Sequence, residues 1–261
     1  MKNSVSVIIE ARMSSRRLPG KVIKKIYNKE ILKIIIQRIK LSKKIENFVV
    51  ATTNNKKDNR LVSFLRKNKI PYYRGSSSNV LQRIIDCADK FKINNVLRVT
   101  GDNPLTDYLL IDEMINYFLK NTKYDFITNN YFANKKKRRL AYGLDLSLFS
   151  INSLKKVKKF AGKNKVFQEY PTLYYHTKGK SKFKTKNILH KKSYILDNRY
   201  RLTVDTKEDL IFFNFLFKEY FNHYTKDNYI YLSKLKKIIK KNPSLIKINK
   251  EIVHYVPKLI S

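Results

Sequence analysis

The apolar and polar positions of the chain alternate between short β-branched runs and longer helical repeats. Short apolar runs predict strands over 4–10, 48–52, 70–73, 96–99 and 125–128. Helical spacing of apolar residues predicts the helices between them, over 31–41, 58–67, 80–91 and 109–119. This alternation is typical of an α/β fold with an open, mostly parallel sheet and helices on both faces.

The alternation stops after Asn129. Residues 130–195 mix basic runs with aromatic residues, and we interpret them as an inserted subdomain. A strand over 200–204 and a helix over 210–221 resume the pattern. A last helix is predicted from Tyr229 to just before Pro243, followed by an extended end over 246–256, so residues 225–261 form a C-terminal helical extension. No repeat or Pro/Gly/Ser-rich linker divides the chain, which predicts a single domain over 1–261.

Composition narrows the class of protein. An apolar share of 43% over 261 residues excludes wholesale disorder. The first residues do not form a signal peptide, and every apolar run is too short for a bilayer span. A single cysteine and four scattered histidines exclude a disulfide framework and disfavour a zinc site. We therefore expect a cytoplasmic protein that does not insert into membranes.

The charge balance is strongly positive, with 57 Lys and Arg against 20 Asp and Glu, which gives +37. Such an excess is typical of proteins that bind nucleic acid or anionic substrates. The lysines are dispersed, however, and residues with A/T-rich codons are abundant, so compositional drift is the interpretation that we favour. We expect no specific nucleic-acid partner, although the excess would attract any phosphate-bearing substrate.

The loop that follows the first predicted strand combines a Pro-Gly pair with clustered basic and hydroxyl side chains. These are Arg12, Ser14, Ser15, Arg16, Arg17 and Lys21. Ligands of open α/β sheets bind at the carboxyl ends of the strands. Backbone N–H, hydroxyl and guanidinium donors together can hold a polyphosphate, whereas the alternative is a solvated basic loop. Because arginine is the rarer basic residue in this chain, its clustering favours a phosphate site.

Two aspartates follow predicted strands at the same edge of the sheet. Asp102 comes after the strand over 96–99, and Asp205 comes after the strand over 200–204, where Thr206 is a candidate N-cap. Taken singly, Asp102 could form an Asx turn and Asp205 could be a loop or capping residue. Together, facing a phosphate loop, they form a sensible Mg²⁺ site, because magnesium takes few carboxylates and completes its shell with phosphates and water.

These motifs together resemble the sugar-acid cytidylyltransferases, the group that contains the CMP-Kdo and CMP-acylneuraminate synthetases. The resemblance is greatest to the branch of spore coat polysaccharide biosynthesis protein F. The shared segments run in the same order over roughly residues 4–220. They are A-R-M-x-S at 11–15, R-L-P-G-K at 17–21, V-A-T-T at 50–53, R-G-S at 74–76, N-V-L-x-R at 79–83, R-x-T-G-D-N-P-L at 98–105, G-L-D at 143–145 and L-T-V-D-T-x-E-D-L at 202–210.

The resemblance implies a Rossmann-like nucleotidyltransferase sheet and an enzyme that transfers CMP from CTP to a sugar acid, with Mg²⁺ as cofactor and pyrophosphate as product, for surface polysaccharide biosynthesis. It also implies a homodimer formed through residues 130–195, which would carry acceptor and dimer contacts. Carried over by motif, the catalytic residues are Arg12, Lys21, Asp102 and Asp205; the nucleotide-binding residues are Ala11, Arg12, Ser15, Arg17, Lys21, Arg74, Asn79 and Asp102; the sugar-binding residues are Asp145 and Glu169; and the metal ligands are Asp102 and Asp205.

The acceptor side departs from the family pattern. Ser147 replaces a glutamate of the family, and Tyr170 and Leu173 replace residues expected near the sugar. The sequence therefore leaves the sugar acid open. Three alternatives also stay open: a nucleotidyltransferase with another nucleotide or acceptor, a family member that binds nucleotide without turnover, and a basic nucleic-acid-binding protein.

Overall fold

Buried β-branched strands build one mixed sheet. The structure is a computed structural model that describes residues 4–130, 138–190, 196–223 and 229–253. The strands of these residues are β1 (Val5–Glu10), β2 (Lys25–Ile26), β3 (Lys29–Glu30), β4 (Ile45–Thr53), β5 (Tyr72–Gly75), β6 (Asn95–Thr100), β7 (Phe126–Thr128), β8 (Ser147–Ser150) and β9 (Thr185–Asn187). β2 and β3 form a small hairpin, and the other strands form the sheet in the order β5-β4-β1-β6-β8-β7-β9.

The first half of the sheet is parallel. β1 pairs with β4 on one side and with β6 on the other, and β4 pairs with β5. Glu10 at the end of β1 lies opposite Ala51 and Thr100, so the carboxyl ends of the central strands coincide. β8 runs antiparallel to both β6 and β7, and β9 runs parallel to β7. The predicted α/β class and the mostly parallel sheet are confirmed.

Helices cover both faces of this sheet. They are α1 (Ile31–Ile39), α2 (Asn59–Lys67), α3 (Val80–Lys90), α4 (Tyr108–Lys120), α5 (Ile151–Ala161), α6 (Lys165–Glu169), α7 (Leu173–His176), α8 (Lys207–His223), α9 (Leu232–Lys241) and α10 (Ser244–Lys247). One buried apolar cluster joins the sheet to α1, α2, α4, α8 and α9. A second joins the opposite face to α3, α5, α6 and α7. Each fully buried aliphatic side chain contributes about 1.5–3 kcal/mol, so both faces hold the sheet rigid beneath its carboxyl edge.

The strand predicted over 200–204 is wrong. Within it, Arg201 makes only an isolated bridge to Tyr142, and the rest of the segment is irregular. Leu202 and Val204 are buried in the first cluster, which explains their apolar pattern without a strand. The main-chain N–H of Val204 donates to the carbonyl of Asp102 over 2.9 Å. Asp205 therefore reaches the carboxyl edge on a loop before α8, not at the end of a strand.

Two further expectations change. The segment over 130–195 was predicted as an inserted subdomain, yet it supplies β8 and β9 to the main sheet. The helix predicted to end before Pro243 is confirmed as α9, but the chain after it is not extended. Residues 244–247 form the short helix α10 instead, and residues 248–251 continue in turns because Leu245 packs into the first cluster. The predicted end beyond Val253 lies outside the described residues.

No helix in the described ranges combines the length and the apolar character that crossing a bilayer requires.

Candidate active site

The carboxyl ends of β1 and β6 bring two loops into direct contact. The N–H of Gly101 donates to the carbonyl of Glu10 over 2.8 Å. A Cβ at Gly101 would lie 2.9 Å from that same oxygen and 3.0 Å from the Cβ of Ala11. Only glycine allows this approach, which fixes residues 11–21 beside Asp102.

Lys21 links the two predicted metal aspartates. Its Nζ lies 2.6 Å from Oδ2 of Asp102 and 2.7 Å from Oδ1 of Asp205. The lysine side chain is only 11% exposed. Burial alone would lower the pKa of Lys21, but the two carboxylates outweigh it and raise this pKa above its ordinary value. The ammonium group is therefore firmly charged and bridges residues that lie far apart in the sequence.

The two oxygens of Asp205 face different partners. Oδ1 contacts Lys21, whereas Oδ2 accepts from Nη2 of Arg201 at 2.6 Å and lies 3.0 Å from Nη2 of Arg17. Burial would raise the pKa of Asp205, but Lys21 and the two arginines lower it well below the ordinary aspartate range. The carboxylate stays ionised at any physiological pH.

Arg201 and Asp209 belong to the same network and were not predicted. Nε of Arg201 donates to Oδ1 of Asp209 over 2.9 Å, and Nη2 donates to Oδ2 over 3.1 Å. Both residues are buried. The i, i+4 spacing of Arg201, Asp205 and Asp209 was visible in the sequence, but in the strand assigned to 200–204 the four-residue separation of Arg201 and Asp205 would span about 13 Å, too far for a contact.

A divalent metal fits the position between Asp102 and Asp205. One ammonium nitrogen already lies within hydrogen-bond distance of both carboxylates, so a single cation can contact the two together. The described residues contain no cluster of three or more His, Cys, Asp or Glu side chains that could hold a metal. A cation here would rely on two carboxylates plus oxygens from a bound phosphate and water, which is the shell that Mg²⁺ favours.

The loop over 11–21 keeps donors available for a phosphate. Five of its N–H groups are used. That of Ala11 donates to the carbonyl of Ala51 over 3.3 Å, that of Met13 donates to the buried carboxylate of Asp58 over 2.6 Å, and those of Leu18, Gly20 and Lys21 donate within the loop. No described residue accepts from the N–H groups of Ser14, Ser15 and Arg16. The loop is thus anchored by its neighbours and open at its centre.

The side chains of this loop differ in how free they are. Ser15 Oγ accepts a weak bond from the N–H of Leu18 at 3.4 Å. Arg17 is about two-fifths exposed, and its Nη1 also donates to the carbonyl of Val253 over 3.4 Å. Arg12 is similarly exposed and lies 4.0 Å from Glu169. The two exposed arginines can therefore turn toward a bound phosphate at little cost.

Arg74 and Asn79, predicted to contact the nucleotide, bind the main chain in the structure. Arg74 donates to the carbonyls of Thr53 and Asn55 over 3.0 and 3.1 Å. Asn79 caps α3, since its Oδ1 accepts from the N–H of Gln82 at 2.9 Å. Both lie on the β4–β5 side of the same edge. Their contact with a nucleotide stays a prediction.

The two predicted sugar residues lie in contrasting settings. Nη2 of Arg138 donates to both oxygens of Asp145, over 2.9 and 2.7 Å, and Asn130 donates to Oδ1 over 2.8 Å. Glu169 ends α6, is nearly half exposed and lies 4.0 Å from Arg12. Glu169 is thus open to a ligand, whereas Asp145 is already paired.

Gly143 joins the segment of Asp145 to the segment of Asp205. A Cβ at Gly143 would lie 1.9 Å from the carbonyl oxygen of Leu202, and the residue has a φ of +99°. The neighbouring Tyr142 accepts from the N–H of Leu202 over 2.7 Å. Any side chain at this position would separate the two segments.

Comparison with known proteins adds three findings. Residues 6–252 match the sequence model of the family described as Cytidylyltransferase. The chain is 31% identical to the spore coat polysaccharide biosynthesis protein SpsF of Bacillus subtilis over 212 residues, which are 79% of this chain and 83% of that protein. It is 29% identical to the 3-deoxy-manno-octulosonate cytidylyltransferase of Fusobacterium nucleatum over 115 residues, 44% of this chain and 46% of the other.

Among solved structures, a cytidylyltransferase from Leptospira borgpetersenii superposes with a TM-score of 0.81. The sequence identity is 32%, and the alignment covers 97% of this chain and 99% of that chain.

Proposed function

Because the chain belongs to the cytidylyltransferase family and is a CTP-dependent nucleotidyltransferase, we propose that it transfers CMP from CTP to a sugar acid of the nonulosonic or octulosonic class. Pyrophosphate is the second product, and surface polysaccharide is the destination of the sugar. The observation that carries this proposal is the ammonium of Lys21 held between Asp102 and Asp205, directly beside a loop with unused N–H donors.

The loop over 11–21 binds the triphosphate in this proposal. Arg12, Arg17 and Lys21 contact the β- and γ-phosphates, and Ser15 with the neighbouring N–H groups fills the remaining acceptor positions. The exposed guanidinium groups of Arg12 and Arg17 support this role, because they can make bidentate contacts with phosphate oxygens.

Asp102 and Asp205 hold Mg²⁺ in this proposal, with Lys21 moving from between them onto a phosphate. The fit of one cation between the two carboxylates supports the assignment. When bound, the ion supplies positive charge to the α-phosphate oxygens and lowers the pKa of a coordinated hydroxyl. Lys21 keeps the pair neutralised until then.

The transfer itself needs positioning more than covalent chemistry. A hydroxyl oxygen of the sugar acid attacks the α-phosphorus and releases its proton to water, while the bond from that phosphorus to the oxygen that bridges the α- and β-phosphates breaks. Negative charge grows on the leaving pyrophosphate, where Arg12, Arg17 and Lys21 offset it. Holding the two substrates in line supplies much of the remaining acceleration.

Glu169 is the stronger candidate for the acceptor side. Its exposed carboxylate lies 4.0 Å from Arg12, so an acceptor that binds beside this pair would contact both charges. Asp145 reaches an acceptor in this proposal only through the lone pairs that Arg138 and Asn130 leave unused. The identity of the sugar acid therefore depends on the exposed surface around α6.

A homodimer formed through residues 130–195 remains part of the proposal. Tyr174, Tyr175 and Phe183 are buried in the second apolar cluster of their own chain, so they are not available to a partner. Phe160 and Leu189 are apolar residues of the same region that are about half exposed, so their side chains are available to contact a partner. Light scattering at micromolar concentration and low salt tests the assembly, and a monomer would contradict it.

The decisive experiment measures pyrophosphate release from each of the four nucleoside triphosphates against a panel of nonulosonic and octulosonic acids with Mg²⁺. We expect release with CTP and at least one acid. Release with another nucleotide alone would reject the cytidine assignment, and release with a neutral sugar alone would reject the acid.

Nucleotide selectivity can also be measured without an acceptor. CTP with Mg²⁺ should raise the thermal stability more than ATP, GTP or UTP do, because only a bound ligand shifts the unfolding equilibrium. A ligand at a hundred times its Kd adds about 2.7 kcal/mol. Equal shifts from all four nucleotides would contradict selectivity.

The competing nucleic-acid interpretation has its own test. If the +37 charge reflects drift, duplex DNA should bind only in the non-specific range, Kd ~10⁻⁴–10⁻⁶ M at physiological salt. A nanomolar, sequence-selective complex would favour the nucleic-acid function instead.

A further inference from the structure

Asp209 is a buried carboxylate whose two oxygens are fully used. Oδ2 accepts from the N–H groups of Asp205 and Thr206 over 2.8 and 3.1 Å, and Oδ1 accepts from Arg201 at 2.9 Å. Thr206 Oγ1 in turn accepts from the N–H of Asp209 at 3.3 Å, so the pair caps α8 as the sequence predicted. Asp209 thereby fixes both the backbone of Asp205 and the guanidinium of Arg201.

Arg201 connects Asp209 to the carboxylate of Asp205. Its guanidinium forks across Asp209 and places Nη2 at 2.6 Å from Oδ2 of Asp205. That contact decides which oxygen of Asp205 is turned away, and Oδ1 is left to face Lys21 and the cation position. A small rotation of Arg201 would change the aim of Oδ1.

Asn249 connects the C-terminal segment to this chain of contacts. It follows α10 and is 2% exposed. Its Nδ2 donates to Oδ1 of Asp209 over 3.0 Å and to the carbonyl of Arg201 over 3.1 Å. One amide group thus contacts both residues that aim Asp205, although none of the sequence motifs includes it.

We propose that Asn249 is a positioning residue for the transfer reaction, acting through Asp209 and Arg201 to aim Oδ1 of Asp205 at the metal. The inference rests on the proposed metal role of Asp205, and it gives the C-terminal extension a catalytic task. A residue with only a packing role would fill space in the core without hydrogen bonds that lead to the site. The contacts of Asn249 instead lead through Asp209 and Arg201 to Asp205, the carboxylate at the cation position.

The test compares Asn249→Ala with Asn242→Ala in the full chain. Asn242 is a matched control in the same segment, because its Nδ2 also donates to a main-chain carbonyl, that of Ile238 at 3.1 Å. The first readout is Mn²⁺ affinity in the presence of CTP, measured by water proton relaxation without turnover. We expect about tenfold weaker binding in Asn249→Ala, about 1.4 kcal/mol, and no change in Asn242→Ala.

The second readout is the dependence of turnover on Mg²⁺. Asn249→Ala should lower kcat at low Mg²⁺, recover part of it at saturating Mg²⁺ and keep the KM for CTP, because the arginines of the phosphate loop are untouched. A purely structural role would lower the melting temperature without shifting the Mg²⁺ dependence. Equal Mn²⁺ affinity and equal Mg²⁺ dependence in the two variants would overturn the proposal.

Asn249→Asp covers the case in which the alanine variant does not fold. It keeps the volume of the side chain but places an oxygen against Oδ1 of Asp209, so a larger loss of Mn²⁺ affinity is expected. Failure of both variants to fold would assign Asn249 to the core and overturn the proposal. A wild-type protein that binds Mn²⁺ with CTP but releases no pyrophosphate would contradict the proposed function alone.

Discussion

The proposed nucleotide side and the proposed acceptor side of the sheet edge each hold an aspartate against a cationic side chain, but the contacts differ. Oδ1 of Asp205 accepts from the ammonium group of Lys21. This group is a compact point charge on a flexible side chain. Both oxygens of Asp145 accept from Nη2 of Arg138, a buried guanidinium that also donates to the carbonyls of Leu140 and Ala141, and Oδ1 of Asp145 accepts from Asn130 as well. In the proposed function the first pair exchanges its cation for a metal ion, whereas the second pair stays in place. Identical residue types at one edge therefore serve exchange in one place and rigidity in the other.

The residues that surround the two sides also differ in their chemical character. The nucleotide side concentrates ionised groups around Lys21. Behind the acceptor side lies an aromatic layer in which Phe126 stacks on Tyr175 at 4.4 Å and His176 packs edge-on against Phe126 at 5.2 Å. Charge dominates one side and aromatic packing dominates the other, so mutation and pH should act on them separately.

The largest effect should come from the exchangeable aspartates. Asp102→Asn or Asp205→Asn should keep the fold and some nucleotide binding but reduce kcat about a thousandfold, or about 4 kcal/mol, because the proposed metal would stabilise charge that develops in the transition state. The double variant should lose little more, since one missing ligand already disables a shared ion. Steady-state kinetics at saturating CTP and Mg²⁺ measure this.

Asp89→Asn is the matched control. Asp89 pairs with Lys155 at the same 2.7 Å, but on the exposed surface. The turnover of Asp89→Asn should equal that of the wild type. Normal turnover in Asp102→Asn or in Asp205→Asn would show that the metal binds elsewhere.

Acid should act first on the acceptor side. Burial lowers the pKa of His176 to about 4, below the ordinary histidine value of 6.5. The unfolded chain therefore takes up a proton that the folded chain refuses, and stability falls as the pH drops from about 6.5 to 4, by up to ~3 kcal/mol. Asp205, whose pKa is lowered, loses its contribution only below about pH 4.

Urea unfolding of the wild type and of His176→Phe between pH 7 and pH 4.5 measures this. The variant should lose less stability than the wild type over that range. His223→Phe, at an exposed histidine, is the control and should follow the wild type. Parallel curves for all three proteins would contradict the assignment to His176.

Lys21→Met tests whether a metal ion can replace the ammonium group of Lys21 between Asp102 and Asp205. Without the ammonium, two carboxylates face each other, so the variant should be less stable without metal and gain more from millimolar Mg²⁺ than the wild type does. CTP affinity should also fall, by about 1.5–3 kcal/mol for a charge-assisted contact to phosphate. Thermal unfolding with and without Mg²⁺, and CTP titration, measure both. Lys155→Met supplies the surface control, and the same Mg²⁺ gain in every protein would refute exchange at Lys21.

The smallest effect on stability is expected at Glu169. Its exposed contact with Arg12 contributes at most about 1 kcal/mol. Glu169→Gln should therefore leave the melting temperature and the KM for CTP nearly unchanged while raising the KM for the acceptor. An unchanged acceptor KM would remove Glu169 from the acceptor site.

Local sequence patterns predicted the parallel half of the fold well. β1, β4, β6 and α3 follow from periodicity because each buries its apolar positions regularly. β8 was missed because Ser147–Ser150 has a short, unremarkable pattern, and only its distant partners in β6 and β7 define it as a strand. Non-local pairing of this kind leaves no local signal.

The sequence predicted which charged residues form the site, but it did not predict the residues that connect and orient them. Asp102, Asp205 and Lys21 meet as expected, although Asp205 arrives on a loop and not on a strand. Arg201 was read as part of that strand, and Asn249 fell in a segment predicted to be extended. Asn79 shows the opposite difficulty, because an asparagine suited to a ligand is equally suited to cap a helix.

The position of β8 also governs the order in which the sheet can form. During synthesis the chain emerges from its N-terminus, so the parallel strands β5, β4, β1 and β6 can pair as soon as residue 100 is available. β7 emerges next, but its neighbours in the sheet are β8 and β9, and both are made later. A nascent or truncated chain that ends near residue 130 would expose β7 without a partner and the open edge of β6 beside it. Such an edge invites pairing with another chain, so fragments of this protein that stop before residue 150 should aggregate while the longer chain folds.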